Sequence, residues 1–215
     1  MRAASGTSGE VSGAVRISAS EIIGTEVLPP MLTALRAQHA GLTPELVVSN
    51  EIRDLLRRDV DLAVRNVRPT QAALLARKIG EVTLGLHAHR DYLDAHAAPR
   101  SLDDLRHHAL IGYDRETPSW RSLQAKGVKL SRDMFALRTD SDVAHLAAIR
   151  AGFGIGICQV PLGRRSPGLV RILPRQFAIE LEIWLVMHED LRTSRRMRVV
   201  FDHLAAALSR YVRSG

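Results

Sequence analysis

The chain has 215 residues, 46% of them hydrophobic and 25% charged, which is an ordinary globular composition large enough for one sizeable domain or two small ones. No apolar run is long enough to span a membrane, and the single cysteine, Cys158, excludes an internal disulfide. The net charge of +7 is scattered over pairs such as Arg57-Arg58, Arg77-Lys78, Arg164-Arg165 and Arg195-Arg196 with few aromatics between them, which argues against a stacking platform for single-stranded nucleic acid.

Residues 1–12, rich in Ser and Gly, read as a flexible linker or cloning remnant without the apolar core of a secretory signal. Ala14–Ser18 alternates Val15 and Ile17 as a strand. It turns through Ala19, Ser20 and Glu21 into a helix whose buried stripe is Ile22, Ile23, Val27, Leu28, Leu32 and Leu35. A serine beside a helix start caps backbone N–H groups, and Glu21 suits the positive end of the dipole. Pro29-Pro30 should kink this helix near its middle. Gly41 and Pro44 mark a turn, and Glu45–Ser49 predicts a second strand. Asn50 then caps a short helix, Glu51–Arg58, and Asp59–Arg65 alternates as a third strand. The order β-α-β-α-β predicts parallel strands with right-handed crossovers.

Asn66–Gln71 is a loop. Leu74–Ala88 then predicts one long strand that leaves a first lobe for a second, bending at Gly80 or Gly85. The second lobe opens with a helix at Arg90–His96 and a Ser101-capped helix at Leu102–Leu105, followed by a strand at Ala109–Tyr113. Glu116–Lys129 reads as irregular. Phe135–Thr139 is a strand, and Asp140-Ser141-Asp142 caps a helix at Val143–Ala151 that Gly152 stops. Gly152–Pro161 gives a buried strand ended by Pro161. Leu169–Leu173 predicts a short strand returning toward the first lobe, Leu181–His188 a second long apolar strand, and Arg192–Val212 a terminal amphipathic helix. The passages around Gly80–Leu86 and Ile172–Ile183 would form a hinge.

Catalytic and metal chemistry find little support. His87 and His89 share a strand face and His107-His108 are adjacent, but no further ligands stand at zinc spacing, so no metal is expected. Cys158 sits in an apolar strand as an inert buried thiol. The GIGIC run follows a helix instead of preceding one, so it is no phosphate-binding loop. No nucleophile–base–acid order is evident, so neither enzyme activity nor a cofactor is expected.

The segments GAVRISAS, LPPMLTALRAQHAGLTPELVVS, DLLRRDVDLAVR, SLDDLRHHALIGY and AHLAAIRAGFGIGICQVP occur in that order. Together they make the chain resemble, over about residues 13–212, the effector-binding (regulatory) domain of LysR-type transcriptional regulators. The resemblance implies an α/β fold of two Rossmann-like lobes joined by two crossing strands, like type II periplasmic binding proteins. Lobe I would be 13–83 with 174–215, and lobe II 84–173. It implies a small-molecule effector held between the lobes, a homodimer that becomes a tetramer in the full-length protein, a cytoplasmic location and no membrane contact. DNA would be bound only through an N-terminal winged helix-turn-helix, which nothing before Gly13 could form, so this chain would be a fragment that does not bind operator DNA by itself.

The effector contacts implied by the resemblance are Ser18, Ala19, Ser20 and Glu21, then Asn50, Arg65 and Asn66. Thr83 to Leu86 lie on the first crossing strand, and in the second lobe they are Thr139 to Ser141, with Gly152–Gly154 close to the back wall. Helix starts at Ser20 and Ser141 and a bidentate Arg65 favour a small organic anion, which Glu21 would repel if it faced the ligand. Each residue also has a plainer reading: Ser20 and Ser141 as caps, Arg65 as a partner of Asp61 or Glu51, Asn50 as a turn residue, Trp120 and Trp184 as core. The alternatives are a solute-binding protein of a transporter, which needs export, and a dehydratase-type enzyme on the same fold, which needs turnover of a bound acid.

Overall fold

The computed structural model describes residues 11–50, 60–69, 73–116, 118–125, 129 and 131–215. The helix expected at Glu51–Arg58 lies outside the described residues. In chain order the elements are β1 (Gly13–Ala19), α1 (Leu28–Gln38), β2 (Leu42–Val48), β3 (Leu62–Arg65), β4 (Leu74–His89), α2 (Arg90–His96), β5 (Leu110–Gly112) and α3 (Pro118–Ala125). They continue with β6 (Phe135–Arg138), α4 (Asp142–Arg150), β7 (Gly156–Gln159), α5 (Val160–Arg165), β8 (Leu169–Ile172), β9 (Ile179–His188) and α6 (Arg195–Arg213). The chain divides into two compact units, Met1–Ile79 with Ile183–Ser209, and Gly80–Glu182 with Arg210–Gly215. The long strands β4 and β9 each run from one unit into the other.

In the first unit β1 lies between β2 and β3 and is parallel to both. Ala19 stands opposite Val48 on one side and Val64 on the other, so the three carboxyl ends finish together. β9 runs antiparallel beside β3, with Leu62 opposite Met187. All four residues of β3 are buried, as expected of a strand covered on both faces. Ile23, Val27, Leu28 and Leu35 close one side of this core, and α6 presses Met197, Leu204 and Leu208 into the unit.

Prolines account for three differences from the sequence reading. Before α1 the helix widens into a π segment, Ile23–Val27, in which Leu28 N–H reaches Ile23 O, and Pro29 and Pro30 fall in the first turn of α1. Two adjacent residues without N–H donors cost least there, so a wide turn replaces the expected mid-helix kink. Pro44 lies inside β2, opposite Val15, and not in a turn. β2 is the edge of the sheet, where a missing donor faces no partner strand. Pro161 does not merely end β7: it sits in the first turn of α5, a helix the sequence reading missed.

In the second unit β4 pairs antiparallel with β7 (Leu86 opposite Ile157) and with β8 (Leu86 opposite Ile172). β8 therefore stays in this unit instead of returning to the first. β5 and β6 form a parallel pair, and Leu110 bridges to Ile155. The stretch read as irregular contains α3, whose Trp120 is buried and meets Phe135 edge-on at 5.8 Å. The short helix expected at Leu102–Leu105 is a 3-10 turn, Asp103–His107, in which Asp104 accepts the N–H groups of Arg100 and Ser101.

α4 begins and ends as its sequence suggests. Ser141 Oγ accepts Ala144 N–H at 3.3 Å, and Gly152 follows the helix at φ +75°. Ser141→Ala is expected to lower the unfolding free energy by about 1 kcal/mol, read as a shifted urea midpoint with an unchanged slope.

Candidate functional site

Parallel strands that end together leave their last residues and the following helix starts on one edge, the usual ligand-binding edge of an open α/β sheet. In the first unit that edge carries seven of the residues singled out above, and six of them pair with one another. Arg65 is buried at the end of β3 and donates from Nη2 to Ser18 Oγ at 2.6 Å and from Nη1 to Val64 O at 3.2 Å. Ser18, at 0% exposure, therefore serves to fix the guanidinium. Ser20 Oγ donates to Asn66 Oδ1 at 3.2 Å, and Glu21 N–H donates to Asn50 Oδ1 at 3.0 Å. Ala19 O accepts Ser49 N–H, tying β1 to the end of β2.

These bonds revise individual roles. The cap of the helix start is Asn50, reaching across from the end of β2, while the Ser20 hydroxyl is turned to Asn66. Asp61 receives the backbone N–H of Arg16 at 2.8 Å, and Arg65 donates to a hydroxyl and a carbonyl; Glu51 lies outside the described residues. Trp184 stands opposite Arg65 on β9, is 9% exposed, and carries the Arg68 guanidinium 5.6 Å over its ring. Removing the Ser18–Arg65 bond by Arg65→Met should cost about 2 kcal/mol of stability, because it leaves a fully buried hydroxyl without its donor. Thermal or urea unfolding checks this.

In the second unit Thr139 and Ser141 form one local cluster at the start of α4. Thr139 Oγ1 accepts Ser141 N–H at 3.2 Å, and Thr139 N–H holds Gly112 O. Asp140, already named in the sequence with them, joins this cluster, and two neighbours, Tyr113 and His145, carried no sequence signal for it. Asp140 accepts the N–H groups of Asp114 and Arg115 and the Arg115 guanidinium at 2.6 Å. That guanidinium holds the Asp140 carboxyl below its ordinary range. Tyr113 donates to Asp142 at 3.2 Å. His145, one turn into α4, is buried; its Nε2 accepts Ile157 N–H at 3.1 Å, which places its proton on Nδ1.

The other residues named in this unit do not join that cluster. Gly152 lies at the opposite end of α4, roughly 13 Å along a nine-residue helix from Ser141. Thr83 donates to Glu180 at 2.9 Å, joining the two long strands. Leu86 is buried in the core and packs instead of presenting a polar group. Cys158 is buried, with Sγ 3.3 Å from Gln159 O. Among the described residues no group of three or more His, Cys, Asp or Glu gathers as a metal site, and no helix is long and apolar enough to cross a membrane.

Two α/β units linked by two long strands, with polar side chains collected at the carboxyl ends of parallel strands, define a ligand-binding domain of the periplasmic-binding-protein-like class. Residues 8–209 match the LysR substrate binding domain, and the chain belongs to that family. It is similar to the HTH-type transcriptional regulator YhjC of Escherichia coli (strain K12), at 28% identity over 214 residues that cover 94% of this chain and 70% of the relative. It is also similar to the HTH-type transcriptional activator TtdR of the same strain, at 28% over 203 residues, covering 90% of this chain and 64% of the relative. The regulatory domain of CrgA, a LysR-type transcriptional regulator from Neisseria meningitidis, has the same fold. Its TM-score is 0.80 at 23% identity, over 92% of this chain and 99% of that one. The expected family and fold class are thus borne out. The chain spans about two thirds of its curated relatives, which are transcriptional regulators and not enzymes.

Proposed function

We propose that this chain is the sensor of a LysR-type regulator, binding a small organic anion at the carboxyl edge of β1, β2 and β3 and thereby changing DNA binding by the longer protein. The observation that carries this reading is the buried Arg65, held by Ser18 at the point where three strands end. A fixed guanidinium there supplies a positive charge at low reorganisation cost, which suits a carboxylate. Ser20, Asn50 and Asn66 stand at the same strand ends, with side chains that can exchange their bonds to Asn66, Glu21 N–H and Ser20 for bonds to a ligand. In the second unit the α4 start offers Thr139 and Ser141 in the same role. Effector binding shifts the regulator between states only by its difference in affinity for them. The homodimer, the tetramer of the full-length protein, DNA contact through a helix-turn-helix and the cytoplasmic location belong to this same reading. A free solute-binding role is not favoured, since the matched relatives are regulators.

The test begins with a thermal-shift panel of small mono- and dicarboxylates. The best hit is then titrated calorimetrically into wild type, Ser20→Ala and Asn66→Ala. The reading expects each variant to lose about tenfold or more in affinity while melting only slightly lower. Wild-type affinity in both variants would remove this edge from the site.

A further inference from the structure

We propose that the first turn of α6 is a separate surface that holds the phosphate backbone of duplex DNA without reading its sequence. Four arginines fall between Arg192 and Arg198, and Arg192, Arg195 and Arg198 are exposed. They cannot turn inward, because Met197, Val200, Phe201 and Leu204 already occupy the buried face of α6. Among the described residues no carboxylate lies within ion-pair distance of these three. The two preceding acids, Glu189 and Asp190, sit in the 3-10 turn before α6, where Asp190 pairs with His188 at 3.3 Å. No acidic residue stands in the first turn of α6. Cations at the positive end of a helix dipole destabilise the helix, and an anion docked there offsets that penalty.

The chemistry of the patch selects the partner. Apart from arginines, the segment Arg192–Arg198 contains only Thr193, Ser194 and the buried Met197. A protein partner would need an aromatic or aliphatic anchor to bind here, whereas phosphates need only cations; Ser194 already caps α6, accepting Met197 N–H on Oγ at 3.4 Å, so the exposed arginines are the phosphate-binding groups. The location separates this surface from the proposed effector edge. Arg196 Nη1 is 3.5 Å from Ser12 O, beside the first residue of β1, and the Ser18 to Ser20 edge is at the other end of that strand, roughly 20 Å away.

The experiment is fluorescence anisotropy of a labelled random-sequence DNA duplex with the purified 215-residue protein. It compares wild type, R192E/R195E/R198E, and a charge-matched control, R90E/R100E/R106E, between about 50 and about 200 mM salt. Wild type should bind with a log–log salt slope of about −2.7, the value for three phosphates. The α6 variant should bind at least about tenfold more weakly at low salt, and the control within about threefold of wild type. Because Glu suits a helix start, the α6 variant should melt no lower than wild type, so lost binding cannot be lost folding. Absence of wild-type binding, or equal loss in both variants, would overturn the proposal. So would a poly-glutamate peptide competing as well as DNA, which would point to an acidic protein partner.

Discussion

Gly154→Ala should destabilise the second unit by about 4 kcal/mol or prevent it from folding. A methyl group at position 154 would overlap the carbonyl oxygen of Ala109. That carbonyl is not free to move, because it accepts Ile155 N–H at 2.8 Å, and Ile155 O in turn accepts Ile111 N–H at 2.8 Å. The glycine is thus the point where β5 and the entry to β7 come into backbone contact, and relief would break both bonds. Gly152→Ala is the internal comparison. Its φ of +75° strains any side chain, but the nearest atom to its added carbon is His89 Cβ at 3.8 Å, ordinary contact. It should cost only about 1 kcal/mol. Urea denaturation by circular dichroism separates the two, and a Gly154→Ala protein within about 1 kcal/mol of wild type would mean that the β5–β7 contact is looser than described.

Acid should weaken the same unit through His145. Burial pushes its imidazole down from the ordinary 6.5 to about 4. Geometry acts the same way, since a protonated ring could not accept Ile157 N–H at Nε2. The unfolded chain takes up the proton near pH 6.5 and the folded one only near pH 4, so unfolding gains protons in that window. Stability is therefore whole above about pH 6.5 and falls as pH drops toward about 4, by on the order of 3 kcal/mol in total. His87 adds in the same direction. Burial lowers its pKa most, the Arg171 charge lowers it further, and the Gly85 carbonyl opposes both. His145→Gln, whose side-chain oxygen can accept Ile157 N–H without titrating, should flatten most of the dependence. Urea midpoints at several pH values measure the slope, and an NMR titration placing His145 near 6.5 in the folded protein would contradict the assignment.

Much of the fold was legible because it is written in local periodicity. The alternation of Val15 and Ile17, the Leu74–Ala88 run, the Arg90–His96 helix and the Ser141 cap each depend on neighbours a few residues away. What was missed depends on context. Pro44 looks like a turn until β2 is known to be a sheet edge, and Pro161 looks like a stop until the chain is seen to begin a helix there. α3 lacks a clear apolar stripe of its own and is placed by Trp120 entering the core. The candidate site divides in the same way. The residue types at the strand ends could be named from family likeness. Their pairings could not, because Ser18–Arg65, Ser20–Asn66 and Glu21–Asn50 join positions 47, 46 and 29 residues apart. His145 gave no signal at all, since a histidine in an amphipathic helix looks alike whether it is solvated or buried.

The central claim is that a small acid is recognised at the ends of β1, β2 and β3. Its most direct test is the map of backbone amide shifts in a nitrogen-15 labelled sample as the best carboxylate from the panel is titrated in. Saturable shifts concentrated at Ser18 to Ile22, Asn50, Arg65 and Asn66, with a second group at Thr139 to Ala144, are the predicted result. Saturable shifts that leave all of those residues unmoved and cluster elsewhere would contradict it.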